Sequence, residues 1–239
     1  MRGQTGVGPQ ADVYAAFSRA EDAEERVLAR LLARADFRSR RVLEIGVGAA
    51  RYTAALASHA ARYVAIDVSP ELLALARRRL AGTKVELVEA DMLAIPLRDA
   101  SVERIFASWS FPAYGAAEES LAEAFRVLGP HGEIWLVGNA PDGDFMEMRG
   151  EAEMRREAAG QAWYLNHRFS IAATVDTEFV FPSLAEAGRV LVAIFGPKAE
   201  AWLSRHPSRR LARRVNIYVA RRPDKADGDR GRTRVASTL

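Results

Sequence analysis

The chain has 239 residues, of which 49% are hydrophobic and 27% charged, with a formal net charge of +3 and no cysteine. This composition is typical of a folded globular protein and excludes collagen-like, fibrous and disordered chains. Without cysteine the chain cannot form disulfides, thiolate metal sites or a cysteine nucleophile, which fits a cytoplasmic location. The four histidines are far apart, so no metal is expected. No segment approaches the roughly 20 apolar residues that span a bilayer. Residues 1–10 are expected to be a loose leader, and they have no apolar core of the kind that a secretory signal needs.

The predicted elements alternate along the chain after an amphipathic N-terminal helix at residues 12–34. Strands are predicted at residues 42–45, 62–67, 85–91, 102–111, 133–138, 174–181 and 214–220. Helices are predicted at residues 53–60, 71–80, 118–128, 183–195 and 198–205. Such alternation indicates an α/β protein, a doubly wound and mostly parallel sheet with helices on both faces.

Two segments interrupt or follow this alternation. Residues 140–170 read as a mostly helical insertion, and residues 222–239 as a polar tail. No internal repeat or low-complexity linker divides the chain. We therefore expect residues 1–239 to form a single domain.

A glycine turn follows the first strand and carries the first functional signal. Gly46 and Gly48 lack side chains, so the backbone can approach a ligand there. The dinucleotide fingerprint requires Gly or Ala at the position held here by Arg51. Glu44, just before the turn, would repel a pyrophosphate but attract an ammonium group. These two residues argue against a NAD-dependent oxidoreductase.

Acidic residues also end the next two strands. Asp67 lies 19 residues after Gly48, where a carboxylate accepts hydrogen bonds from both hydroxyls of a ribose. Asp91 ends the third strand, where a carboxylate can accept from an adenine amino group. Because the carboxyl ends of parallel strands share one crevice, Glu44, Asp67 and Asp91 are expected to line one ligand-binding crevice.

Five motifs together resemble the class I S-adenosylmethionine-dependent methyltransferases. They are VLEIGVGAA, VAIDVS, VEADMLAIPL, SVERIFASWSF and RVLGPHGEIWLV. The resemblance covers residues 40–140 well, as the cofactor-binding half, and residues 174–220 loosely. One departure is Ala50, which stands where that family has a third glycine. The resemblance implies a seven-stranded sheet of order 3-2-1-4-5-7-6 with strand 7 antiparallel.

The resemblance also implies the cofactor site. The cofactor would be S-adenosylmethionine, and the product S-adenosylhomocysteine. The residues that would bind it are Glu44, Gly46, Val47, Gly48, Asp67, Val68, Asp91, Met92 and Ser108. The glycines would pass under the methionine part, Glu44 would face its amino group through water, and Asp67 would hold the ribose. Asp91 and Met92 would hold the adenine, and Ser108 would touch the methionine end.

The sequence gives less information about the molecule that accepts the methyl group than about the cofactor. Residues 12–20 and 140–170 are positioned to form a substrate lid. The side chains that could wall an acceptor pocket are Tyr14, Trp109, Tyr114, Tyr164 and His167, although packing aromatics and a surface histidine give the same pattern. The Asn/Asp-Pro-Pro-aromatic motif of many amino-methylating enzymes on nucleic acid and protein is absent. No catalytic base is identified.

The segment 198–222 carries eight basic residues and one acid, a charge of +7 within a chain of +3. It could grip RNA phosphates, or it could be a solvated surface of an arginine-rich protein. The sequence therefore predicts a methyltransferase with a small-molecule acceptor. An RNA methyltransferase is the first alternative, followed by a NAD-dependent oxidoreductase and a non-catalytic cofactor-binding module.

Overall fold

The computed structural model describes residues 11–222. The predicted leader, and all of the predicted tail except residue 222, lie outside the described residues. The helices are α1 (Ala11–Ala20), α2 (Arg26–Arg34), α3 (Thr53–Ala57), α4 (Pro70–Arg79), α5 (Ala117–Val127), α6 (Asp144–Arg149), α7 (Glu151–Asn166), α8 (Leu184–Phe195) and α9 (Pro197–Arg205). The strands are β1 (Arg41–Ile45), β2 (Arg62–Asp67), β3 (Val85–Glu89), β4 (Val102–Ser108), β5 (Leu128–Asn139), β6 (Ser170–Val180) and β7 (Arg210–Arg221).

The N-terminal segment is two helices rather than the single helix predicted at residues 12–34. Asp22 and Glu25 have φ of 47° and 55°, outside helical backbone. The buried carboxylate of Asp22 accepts hydrogen bonds from the Val27 amide at 3.0 Å and from the Thr177 hydroxyl at 2.7 Å. This carboxylate holds the start of α2 against β6, a contact that the local periodicity does not contain.

The sheet has the predicted order, β3-β2-β1-β4-β5-β7-β6. β1 to β5 pair in parallel, and β7 is antiparallel to both β5 and β6. The predicted fold class is thus confirmed. Because β1, β2 and β4 are parallel neighbours, the residues that follow Ile45, Asp67 and Ser108 emerge at one edge of the sheet.

Helices cover both faces of the central strands. Alternate residues of β1 enter different cores, with Val42 in one and Leu43 in the other. The first core includes apolar residues of α2, α3 and α4, and the second those of α5. A third apolar cluster joins α1, α6, α8 and α9 to β6 and β7. This third cluster lies beside the edge where β1, β2 and β4 end and forms part of the roof over it.

Several boundaries differ from the predicted ones. β6 and β7 are longer than predicted because they pair antiparallel with each other from Ser170 and Val219 to Val180 and Arg210. β5 begins at Leu128, which pairs with Val102 before a register shift. None of the helices within residues 11–222 combines the length and apolarity needed to cross a membrane.

Candidate functional site

The glycine turn after β1 is a sharp bend in which both glycines adopt left-handed backbone conformations. Gly46 and Gly48 have φ of +72° and +50°. A Cβ placed on Gly46 would lie 2.3 Å from the Cβ of Ser110. Ser110 in turn donates its hydroxyl to the carbonyl of Ile45 at 2.6 Å. The segment after β4 therefore packs directly on the turn, and Gly46 is required by both conformation and space. Ala50, the departure from the family's glycine, adopts φ of 57°.

Asp67 connects the end of β2 to this turn. Its carboxylate accepts a hydrogen bond from the Gly48 amide at 2.9 Å and another from the Ser69 amide at 3.0 Å. Each of these bonds uses a different carboxylate oxygen, so lone pairs remain on both oxygens. Asp67 is 9% exposed and lines a cavity. The carboxylate is thus held in a fixed orientation and can still accept from a ligand.

The cavity has a volume of about 510 Å³. Its floor is the edge of the sheet, from the turn at 45–49 through Asp67 and Val68 to Met92 and Ser108. Its roof comes from α1, α6, the end of α8 and β7. The roof residues are Tyr14, Phe17, Ser18, Glu21, Phe145, Arg149, Ile194, Phe195 and Arg213. A floor that carries the polar side chains of Asp67 and Ser108 thus faces a roof with four aromatic rings.

Arg51 ties the roof to the floor. Its guanidinium donates to the backbone carbonyl of Ser18 in α1 and to that of Asp22 at 2.9 Å. The residue that departs from the dinucleotide fingerprint therefore fixes α1 over the glycine turn. Tyr14 lies above Gly48, with its hydroxyl 3.2 Å from the position that a Cβ would take there. Burial, together with the negative charges of Glu21 and Asp67, raises the pKa of Tyr14 to about 12, so its hydroxyl stays protonated.

A buried ion pair forms the far wall of the cavity. Arg213, 4% exposed, donates Nη1 to Oε1 of Glu21, which is 7% exposed. Its Nε donates to Oδ1 of Asn139 at 2.9 Å. The guanidinium carbon lies 4.2 Å from the centre of the Trp109 ring and 4.9 Å from that of Phe145. Arg213 is thus held by hydrogen bonds and by contacts with two aromatic rings.

The network continues away from the cavity into α7. Asn139 donates Nδ2 to Glu157 at 2.8 Å, and Arg149 donates to the same carboxylate at 3.1 Å. Arg149 also donates to Glu153 at 2.7 Å, and its guanidinium carbon lies 5.6 Å from the centre of the Phe145 ring. α6, α7 and β7 are therefore connected behind the aromatic roof.

Glu44 lies below the turn rather than in the cavity wall. It is 2% exposed and accepts a hydrogen bond from the Tyr63 hydroxyl at 2.8 Å. Burial raises the pKa of the Glu44 carboxyl to about 7, although the bond from Tyr63 acts in the opposite direction. Of the nine predicted cofactor residues, the structure brings Gly46, Val47, Gly48, Asp67, Val68, Met92 and Ser108 to the cavity. Asp91 is exposed and accepts from the Leu93 amide at 2.9 Å, next to the cavity rather than in its lining.

Two of the five expected acceptor-pocket residues, Tyr14 and Trp109, line the cavity, and three do not. Tyr114 is 75% exposed. Tyr164 donates its hydroxyl to the Phe111 carbonyl and packs on Tyr218. These contacts give Tyr164 a packing role at the second core, away from the cavity.

His167 is likewise held elsewhere. It stacks on Trp163, with ring centres 4.1 Å apart, and its Nε2 lies 2.8 Å from the Glu118 carboxylate. Within the predicted insertion only α6, through Phe145 and Arg149, reaches the cavity. In the described residues, no cluster of three or more histidines and acids is arranged to hold a metal ion.

The structure also brings residues to the cavity that the sequence reading did not identify. Glu21 falls within the single helix predicted at residues 12–34, and Arg213 within the basic segment 198–222. No local signal marks either residue, because the two meet across 192 positions of sequence. The positive φ of Asp22, which turns the chain at this point, has no sequence signature either.

Comparisons with known proteins agree with this architecture. Residues 43–136 match the family profile described as a methyltransferase domain. A methyltransferase-like protein of Schizosaccharomyces pombe is 36% identical over 102 residues, covering 42% of this chain and 39% of that protein. The demethylmenaquinone methyltransferase of Thermus thermophilus is 32% identical over 106 residues, covering 43% of this chain and 48% of that protein. The chain thus matches less than half the length of these relatives.

A solved structure extends the likeness to the whole sheet. The S-adenosylmethionine-dependent methyltransferase of Thiobacillus denitrificans, in complex with S-adenosyl-L-homocysteine, superposes with a TM-score of 0.56 at 15% identity. The superposition covers 88% of this chain and 96% of that one, and it concerns the fold. Residues 43–136 thus match a methyltransferase-domain profile, and the seven-stranded sheet has the fold of class I S-adenosylmethionine-dependent methyltransferases.

Proposed function

We propose that this chain is an enzyme that transfers a methyl group from S-adenosylmethionine to a small-molecule acceptor. The observation that carries the proposal is the placement of Asp67. Its carboxylate is fixed by the amides of Gly48 and Ser69 in the wall of a cavity that is large enough for a nucleoside-containing ligand. The match of residues 43–136 to a methyltransferase-domain profile supports the same chemistry.

The residues on the cavity floor fit this cofactor. Asp67 has acceptor lone pairs left for the two ribose hydroxyls. Val68, Leu72 and Met92 offer apolar contacts beside it for an adenine ring. The turn at Gly46 and Gly48 brings backbone close to the methionine part, with Ser108 at its end. Glu44, through a bridging water, and Asp91 complete the proposed set.

In this proposal the chain provides binding, alignment and exclusion of water. Bound S-adenosylmethionine supplies a methyl group that its sulfonium sulfur has already activated. α1, α6 and the end of α8 line the cavity opposite the floor, where they would shield a bound acceptor from solvent. Such alignment in a dry pocket is the main contribution that a protein makes to this chemistry. We also propose that residues 1–239 form a single domain in which α1 and α6 act as the substrate lid.

A small acceptor is favoured because the cavity, at about 510 Å³, has the size of a small-molecule pocket. The name of the Thermus thermophilus relative, a demethylmenaquinone methyltransferase, supports an organic acceptor of low mass. The basic segment 198–222 gives little support to RNA. Arg210 pairs with Glu178, Arg214 with Asp142 and Arg221 with Glu133. Arg213 is buried, and Arg209 and Arg222 donate to backbone carbonyls.

The acceptor class is tested with methyl-labelled S-adenosylmethionine and a cell extract separated into small molecules and RNA. The proposal predicts label in the small-molecule fraction, and none when an Asp67→Ala variant replaces the wild type. Label in RNA, with binding that weakens steeply with salt, would instead show an RNA methyltransferase. No transfer to any fraction by a protein that binds the cofactor would indicate a binding module.

A further inference from the structure

A second, larger cavity lies at the other end of the sheet from the cofactor cavity, which Asp67 lines. It has a volume of about 1020 Å³, and β4, β5, β6, β7 and the end of α2 contribute to its walls. Five arginines line this arginine groove: Arg34, Arg104, Arg168, Arg221 and Arg222. None of them lines the cofactor cavity, so the proposed methyl transfer leaves the groove without a role.

A row of charges crosses the strands at the floor of the groove. In the strand register Arg104 of β4 faces Glu133 of β5, and Glu133 faces Arg221 of β7. The Nε of Arg104 lies 3.4 Å from Oε2 of Glu133, and the Nε of Arg221 donates to Oε1 at 3.0 Å. One carboxylate therefore lies between two guanidiniums and balances the charge of only one of them.

The second acid that lines the groove, Asp36, does not remove this excess positive charge. Asp36 lies 3.6 Å from Arg40, a further guanidinium outside the lining. Arg40 also lies 3.6 Å from Glu103, which pairs with Arg41 as well. These two acids and two arginines balance one another, so they do not offset the excess charge of the row.

Three arginines of the groove are incompletely paired within the described residues. Arg34 is exposed and has no hydrogen bond or ion pair within residues 11–222. Arg222 donates Nη1 to the backbone carbonyl of Leu128, which carries no charge. The Arg104 side chain is only 11% exposed, and its Nε has no hydrogen bond in the described part of the chain. A largely buried guanidinium without full pairing is costly, and an anion bound beside it would offset that cost.

These arginines favour a ligand with several phosphate groups. A guanidinium is planar and donates two parallel hydrogen bonds to two oxygens of a phosphate. The groove has about twice the volume of the cofactor cavity, so it has room for more than one such group. Nucleic acid would need a longer basic track, whereas Arg210 and Arg214, elsewhere on β7, are paired with acids. A short chain of linked phosphates therefore fits the groove best.

We propose that the arginine groove binds a ligand with two or more linked phosphates, held by Arg34, Arg104 and Arg222. Inorganic polyphosphate and nucleoside triphosphates share this group. Arg104 stands near the start of β4, whereas Ser108, at the end of the same strand, lines the cofactor cavity. The two sites are therefore separate, and the proposal does not depend on methyl transfer.

Calorimetric titration of the full chain tests the site, with inorganic tripolyphosphate, uridine triphosphate and orthophosphate as separate probes at one ionic strength. Uridine triphosphate lacks the adenine that the cofactor cavity is proposed to bind. Tripolyphosphate should bind roughly tenfold more tightly than orthophosphate, or better, because several charge-assisted hydrogen bonds then form to one molecule. Tighter binding of uridine triphosphate than of tripolyphosphate would identify a nucleoside phosphate as the ligand, and equal binding the phosphate chain alone.

The double variant Arg34→Gln, Arg222→Gln should weaken tripolyphosphate binding by about tenfold or more, because it removes two guanidiniums from the groove. Arg34→Gln alone changes one exposed side chain, should weaken binding by about threefold, and guards against a folding defect. The matched control is Arg77→Gln, Arg78→Gln, which removes the same charge from exposed residues of α4 outside the groove. The control should bind within about twofold of the wild type, because salt screens distant charges.

Three results would overturn the proposal. Tripolyphosphate that binds no more tightly than orthophosphate would exclude a site for linked phosphates. Equal losses in the groove variant and in the α4 control would show a response to net charge alone. Binding of a short oligouridylate without binding of tripolyphosphate would make the groove a nucleic-acid surface instead.

Discussion

The carboxylate of Asp67 and the backbone amide of Gly48 are joined by a hydrogen bond of 2.9 Å that spans 19 residues of sequence. The bond connects the end of β2 to the glycine turn after β1, so the two halves of the proposed cofactor site are fixed relative to each other. A second bond, to the Ser69 amide, fixes the other carboxylate oxygen. The first prediction concerns this residue.

Replacing Asp67 with alanine should weaken S-adenosylhomocysteine binding by tenfold or more. The variant loses an acceptor that is already oriented toward the ligand, and a hydrogen bond to a charged group contributes roughly 1.5–3 kcal/mol. Calorimetric titration measures the change. Glu89→Ala, at the exposed end of β3, is the control and should bind as the wild type does. Wild-type affinity in Asp67→Ala, with a native unfolding transition, would refute the ribose assignment.

Gly46→Ala should destabilise the protein more than Gly82→Ala. Both glycines have positive φ, +72° and +82°, where a side chain costs roughly 1–2 kcal/mol. A Cβ on Gly82 meets nothing within 4 Å, whereas one on Gly46 would lie 2.3 Å from Ser110 Cβ. The difference between the two variants in the free energy of urea unfolding therefore measures the cost of the clash with Ser110. Equal losses of unfolding free energy would show that the segment after β4 yields easily.

Arg213→Ala should cost about 3–5 kcal/mol of unfolding free energy, because it leaves the buried Glu21 carboxylate unpaired. Arg26→Ala breaks the exposed pair with Glu24 and should change stability by less than about 1 kcal/mol. Denaturant unfolding of both variants under one buffer condition gives the comparison. If the Arg213 variant unfolds like the Arg26 variant, the ion pair does not hold the roof.

The unfolding free energy of the ligand-free protein should fall as pH rises, because the buried Glu44 carboxyl then loses its proton. Its pKa is raised from 4.5 to about 7 by burial, so between these values the folded state binds more protons than the unfolded state. Unfolding free energy then falls with pH across this window and levels off above pH 7. The pKa shift corresponds to a loss of about 3 kcal/mol of unfolding free energy at most.

A Glu44→Gln variant isolates this contribution, because the amide does not titrate. Wild-type and variant stabilities are compared by urea unfolding at pH 5 and pH 8. The variant should lose less stability than the wild type between the two values. A parallel response of the two proteins would show that Glu44 stays ionised when buried.

The sequence contains enough to predict the sheet but not the roof over it. The strands and the glycine turn have local signatures, and the motif resemblance supplies their order. Asp67 is predicted from its place at the end of a short apolar strand, and Gly48 from the glycine turn that follows another. The break between α1 and α2 was missed because Asp22 is stabilised by Thr177, a residue 155 positions away.

Long-range contacts also explain why the residues expected in the acceptor pocket were only partly predicted. Tyr164 and His167 lie in the insertion expected over the cavity, but α7 turns its aromatic end toward Phe111 and Glu118. Glu21 and Arg213 carry no distinguishing pattern, and only the antiparallel pairing of β6 with β7 brings them together. Residues whose roles depend on long-range packing are therefore the ones that sequence patterns do not locate.

The most direct test of the account is a calorimetric titration of the wild-type protein with S-adenosylhomocysteine, with NAD as the parallel ligand. The account predicts saturable binding of S-adenosylhomocysteine in the micromolar range and no binding of NAD. Binding of NAD alone would show that Arg51 and Glu44 do not exclude a dinucleotide. Absence of S-adenosylhomocysteine binding would contradict the assignment of Asp67 and the glycine turn to that cofactor.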